Sequence, residues 1–124
     1  MSKLQMKRFA VGLLTLCFVP QADAFTASEL YLLCTQASDT VPGGIASSTC
    51  IGYMRGVVDG LFMAEILADQ GMKICTPNKR QINAFQAKDV IQKYIEKNPE
   101  YLQSPAGIIA SGALYRAFPC ENSN

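Results

Sequence analysis

Histidine and tryptophan are both absent from this chain of 124 residues. Without histidine there is no Ser-His-Asp or Cys-His catalysis, no paired-histidine zinc site and no imidazole base working near neutral pH. Charge is also sparse. Only 17% of residues are charged, 11 basic against 10 acidic, and the net charge of +1 offers no electrostatic footprint for nucleic acid. No strand pattern, internal repeat or low-complexity segment is evident. The length suits one modest domain and is too short for two. What the chain does have in excess is cysteine, five residues of it.

The N-terminal stretch reads as an address. Lys3, Lys7 and Arg8 precede an apolar run of 11 residues from Phe9 to Val19, followed by Pro20 and Ala22-Asp23-Ala24. A basic start, a short apolar stretch and small residues two apart predict a secretory signal peptide, residues 1–24, cleaved before Phe25. A membrane anchor would need about 17 or more apolar residues. Bulky Leu16 argues against lipid attachment at Cys17, which leaves with the signal. Residues 25–124 then form the mature domain, with no membrane span. Losing Lys3, Lys7, Arg8 and Asp23 leaves it 8 basic and 9 acidic side chains, close to neutral.

Cys34, Cys50, Cys75 and Cys120 remain, an even number bound for an oxidising compartment. The nearest two are sixteen positions apart, unlike a C-x-x-C metal site, and no histidine can activate a thiolate. The expectation is two structural disulfides, with no metal, no cofactor and no catalytic residue.

The mature chain predicts an all-α fold, a compact bundle of four or five helices stapled by two disulfides. Thr26 and Glu29 fit a capping box, flanked by a Phe25–Leu30 hydrophobic staple, for a first helix over 27–37 with Leu30, Leu33, Cys34 and Ala37 on one stripe. Thr40-Val41-Pro42-Gly43-Gly44 reads as a loop. Ser47 or Ser48 then caps a long second helix that reaches Gln70 and stops at Gly71. Asn83 and Gln86 cap a third helix with Ala87, Val90, Ile91, Tyr94 and Ile95 at helical spacing, closed by Asn98-Pro99. Ser104 as cap and Pro105 in the first turn open a fourth helix carrying Ile108, Ile109, Ala113, Leu114 and Ala117.

Two patterns on the second helix stand out. Gly52, Gly56 and Gly60 align on one face, each at about 1 kcal/mol of lost helix propensity. Such a smooth stripe suits close packing, either against another helix of the same chain, the favoured reading, or against a second subunit. Arg55 and Asp59 lie four apart, and Asp59 is read as a structural hydrogen-bond acceptor. Among three cysteine pairings, topology favours Cys34–Cys50, across an antiparallel helix hairpin, and Cys75–Cys120, each following a helix.

The segment Gly52-Tyr53-Met54-Arg55-Gly56-Val57-Val58-Asp59-Gly60, just after Cys50, resembles the signature of the Rap/Tai immunity-protein family. Cys75-Thr76-Pro77, the stretch from Lys93-Tyr94 to Asn98-Pro99, and Ala113-Leu114 leading to Ala117-Phe118-Pro119-Cys120 extend the resemblance from Leu30 to Cys120. It implies a small periplasmic helical protein associated with type VI secretion. Such a protein is often a dimer and binds a secreted peptidoglycan amidase effector, blocking the toxin's active-site groove. No residue of its own would be catalytic. Contact would fall on exposed segments, first Val41, Pro42, Gly43, Gly44 and Ile45, then Tyr101 to Ser104, including Gln103. The connection Asn78-Lys79-Arg80-Gln81 is longer and more basic than the family pattern. Two other classes compete: a periplasmic acid-stress chaperone or orphan envelope interaction protein, and a carboxylate hydrolase built on Asp59 with Glu65 or Asp69.

Overall fold

A computed structural model describes residues 25–67, 73–76 and 81–120. The expected signal peptide, the helix stop at Gln70-Gly71, Asp69 and the basic Asn78-Lys79-Arg80 connection lie outside the described residues. Four α-helices are described: α1 (Ala27–Thr35), α2 (Val41–Leu67), α3 (Ala84–Lys97) and α4 (Ala106–Ala117), with a 3-10 turn at Pro99–Tyr101. They form an all-α bundle stapled by two disulfides, as the sequence predicts. None of the described helices is long and apolar enough to cross a membrane.

Local chemistry sets most of the helix starts. The Thr26 hydroxyl accepts from the backbone N–H of Glu29 at 3.2 Å, and the Glu29 carboxylate accepts the Thr26 N–H at 2.8 Å. The predicted capping box therefore satisfies two of the donors that a helix start leaves without a partner. Asn83 and Gln86 repeat the device on α3 at 2.9 and 3.1 Å. The start of α4 departs from expectation. Ser104 is not its cap; Pro105 holds the cap position without a side-chain bond, and the Ala106 N–H donates to the Phe25 carbonyl at 2.6 Å. Ser104 and Leu102 instead offer their carbonyls to the N–H groups of Ala27 and Ser28, both at 2.9 Å. The starts of α1 and α4 thus lock each other by main-chain bonds, with an isolated bridge between Thr26 and Pro105.

The core lies where these helices meet. Leu30, Met54, Ile91 and Leu114, one from each helix, are at most 1% exposed. On α4 the buried positions are Ala106, Ile109, Ala110, Ala113 and Leu114. Ile108 and Ala117, expected on that stripe, face outward instead. The alanines bring α4 close to its neighbours, and so the small residues, not Ile108, mark its inner face. Cys34 and Cys50 join α1 to α2 with Cα atoms 5.2 Å apart, and Cys75 and Cys120 join the chain after α2 to the chain after α4 at 4.8 Å. In α1 the helix ends at Thr35, and Ala37 is exposed, outside the helix.

Candidate partner-binding surface

The segment read as a loop is helical. Val41 to Ile45 form the opening turns of α2, which begins six residues before Ser47. Thr40 caps it: its hydroxyl accepts from the Gly43 N–H at 3.1 Å, and its carbonyl accepts from the Gly44 N–H at 2.8 Å. Pro42 sits in the first turn, where a missing N–H costs no intrahelical bond. Gly43 is buried because the preceding turn folds over it; a methyl group there would collide with the Ala37 carbonyl oxygen. Glycine and proline, normally read as breakers, are here demanded by the start of a helix. Val41, Pro42 and Ile45 remain exposed, Val41 at 79% and Ile45 at 64%.

The second expected contact segment is rigid and partly aromatic. Tyr101 stacks on Tyr94, ring centroids 6.4 Å apart and planes within 2°, while the Arg116 guanidinium lies 5.9 Å from the Tyr94 ring centre. Gln103 is exposed at the tip, between the backbone bonds that hold Leu102 and Ser104 to α1. This segment and the start of α2 present their side chains on separate elements; no described contact brings Val41 or Ile45 together with Tyr101 or Gln103.

The long helix departs most from expectation. A methyl group added at Gly52, Gly56 or Gly60 would meet nothing within 4 Å, and all three positions are exposed. The favoured expectation, close packing of this stripe within the chain, is therefore corrected. The helix buries Cys50 and Met54 on its other side and turns the glycines outward. Arg55 and Asp59 are also exposed, and among the described residues neither makes an ion pair or hydrogen bond. Among the described residues, then, Asp59 has no donor from which to accept.

Among the described residues three titratable groups are displaced from their ordinary values. The Thr26 N–H and hydroxyl hold Glu29 below the usual carboxylate range. A hydrogen bond to Glu96, at 3.2 Å, raises Tyr31, and burial raises Tyr53. All three belong to helix caps or packing. Among the described residues no group of three or more Cys, Asp or Glu could hold a metal ion.

One feature escaped sequence reasoning. A cavity of about 410 Å³ opens beside the second half of α2, lined by Val58, Leu61, Phe62 and Glu65 from that helix, Ile74 from the strap after it and Leu114 from α4. The four α2 residues recur at the spacing of one helical face, which is the only sequence signal. The strap is held by the Cys75–Cys120 bridge and by the Cys75 N–H donating to the Phe118 carbonyl at 3.0 Å.

Comparison with known families decides the class. A family model for Rap1a immunity proteins matches residues 26–120, nearly the whole described domain. The chain belongs to the Rap1a immunity protein family. Searches of curated proteins and of solved structures found no match. As a Rap1a immunity protein it falls in a periplasmic, generally non-enzymatic family linked to type VI effector immunity. The two disulfides accord with an oxidising compartment. The segment from Gly52 to Gly60 lies within α2, with Met54 buried and Gly52, Arg55, Gly56, Asp59 and Gly60 exposed.

Proposed function

We propose that this protein is a periplasmic immunity protein that neutralises a peptidoglycan amidase effector by occupying its active-site groove. It reaches the periplasm by cleavage of residues 1–24 and acts as a homodimer. The observation that carries this reading is the family match across residues 26–120. The surface chemistry supports it. A binder needs a rigid frame and exposed side chains that complement a partner, and two disulfides and interlocked helix starts supply the frame. Val41, Ile45, Tyr101 and Gln103 are exposed on that frame.

The outward glycine stripe supports the dimer. With no methyl groups at Gly52, Gly56 and Gly60, the backbone of a second α2 can approach closely. A two-fold axis through the stripe would pair the same glycine face of both copies.

The test is protection. Cells directing a panel of type VI amidase effectors to the periplasm are expected to survive when the full chain is co-expressed, and the purified pair is expected to co-elute with amidase turnover abolished. Lysis that proceeds unchanged across the panel, with no complex formed, would overturn the amidase reading. Suppression of client aggregation in acid but not at neutral pH would favour the chaperone class instead.

A further inference from the structure

We propose that the cavity beside α2 is an anchor site for a protein segment of the effector, taking one large apolar side chain that lies next to a lysine or arginine. Among the described residues its walls are mainly apolar, with Val58, Leu61, Ile74, Ile82 and Leu114, and Thr76 and Gln81 are their polar members. A volume of about 410 Å³ lies within the range of pockets that enclose a small ligand or one large side chain. Among the described residues Glu65 is the one charged group in the lining. It is exposed, and among the described residues it has neither an ion pair nor a hydrogen bond. Lys73, the nearest base along the strap, does not line the cavity. A carboxylate exposed at the mouth of a mainly apolar pocket is complementary to an apolar side chain with a basic neighbour, and it disfavours an acidic segment by like-charge repulsion.

The surroundings select a protein over a small molecule. Phe62 forms the rim at 49% exposure, and Met63, Ile66 and Leu67 follow on the same helix at 48%, 60% and 78%. Soluble chains rarely leave so many large apolar side chains together in water unless a partner covers them. A pocket flanked by such a ridge has the form of a protein interface, in which an anchor residue fills a desolvated socket while its neighbours exclude water. The site also makes use of a family scaffold element at a place distinct from both the start of α2 and Tyr101.

That the partner is the effector rests on the proposed function; capture of a basic–apolar segment does not. The test uses the mature protein and two blocked, Gly/Ser-flanked peptides, one centred on Lys-Leu-Phe-Lys and the other on Glu-Leu-Phe-Glu. The Lys peptide is expected to shift the methyl resonances of Val58, Leu61, Ile82 and Leu114 and to bind about five-fold tighter than the Glu peptide, the size expected of an exposed ion pair. Glu65→Lys, at an exposed position, is expected to keep the fold and reverse that preference. Equal binding of both peptides, no binding at millimolar peptide, or an unreversed preference would overturn the site. So would magnetisation transfer showing the cavity filled by residues 68–72 of the same chain or by a second copy. Failure of effector protection with the charge reversal intact removes the amidase reading and leaves the site standing. Protection with no charge reversal does the opposite.

Discussion

Gly43 lies against the carbonyl oxygen of Ala37 so closely that one methyl group has no room between them. The contact ties the turn after α1 to the first turn of α2, next to the Cys34–Cys50 bridge that joins the same two helices.

Gly43→Ala is therefore expected to cost about 1–3 kcal/mol, the range for forcing extra volume into a packed site. Gly44→Ala, whose nearest neighbour would be the Ser38 carbonyl oxygen at 3.8 Å, is expected to be neutral or stabilising by up to about 1 kcal/mol. Urea unfolding of the two variants checks the contrast. Equal behaviour would mean that the turn moves aside and that the close approach does not constrain the helix start.

The glycines of the outward stripe behave in the opposite way. Gly52→Ala, Gly56→Ala and Gly60→Ala each place a methyl group in open space and remove about 1 kcal/mol of helix-propensity penalty. In the isolated chain each should raise the melting temperature. If two α2 helices pack along the stripe, the same substitutions push them apart, and sedimentation should show weaker self-association together with a more stable protomer. A gain in stability with unchanged association would place any dimer interface elsewhere.

These contrasts show what the sequence makes legible. Both capping boxes, Thr26–Glu29 and Asn83–Gln86, are readable because each is closed within four residues by groups whose chemistry is local. Both disulfide pairings follow from helix order alone. The start of α2 was hidden because Pro42, Gly43 and Gly44 have the composition of a loop; the fact that decides for a helix is a contact with Ala37, outside the helix. Periodicity places Gly52, Gly56 and Gly60 on one face without saying what that face meets. On α4, Ile108 and Ala110 are equally apolar to a periodic reading, yet only Ala110 is buried. The cavity is built from Val58, Ile74 and Leu114, three separate parts of the chain, and exists only once the bundle forms.

Acid should weaken the start of α1. The Thr26 N–H and hydroxyl lower the Glu29 pKa, so the charged carboxylate stabilises the folded state. A depressed folded value means that this contribution is fully present above the unfolded carboxylate pKa and is lost as pH falls through the folded one. The melting-temperature gap between wild type and Glu29→Ala should thus be constant near neutrality and shrink in acid, below the ordinary carboxylate range. Thr26→Ala should cost about 1 kcal/mol at neutral pH, the usual value of an N-cap. A gap that widens in acid would contradict the charge role given to Glu29.

The two disulfides should separate chemically. Cys34 and Cys50 are 7% and 1% exposed, enclosed between α1 and α2, whereas Cys75 is exposed and Cys120 half-buried at the end of the strap. Reduction requires a thiolate to reach a sulfur atom, so access governs its rate in the native state. A small dithiol at neutral pH is expected to open Cys75–Cys120 first, with alkylation appearing at those two positions while Cys34–Cys50 resists until the bundle unfolds. The bridge lost this way closes the longer loop, 45 positions against 16, and the chain-entropy model assigns it about 4 kcal/mol. The partly reduced protein should keep the helix content of α1 to α4 but melt earlier. It should also bind the Lys-centred peptide less well, because Ile74 is next to the released Cys75 in the cavity wall. Mass mapping of alkylated cysteines against time checks the order. Parallel loss of both bridges, or earlier loss of Cys34–Cys50, would mean that the α1–α2 hairpin opens more readily than the strap, contrary to the burial that encloses it.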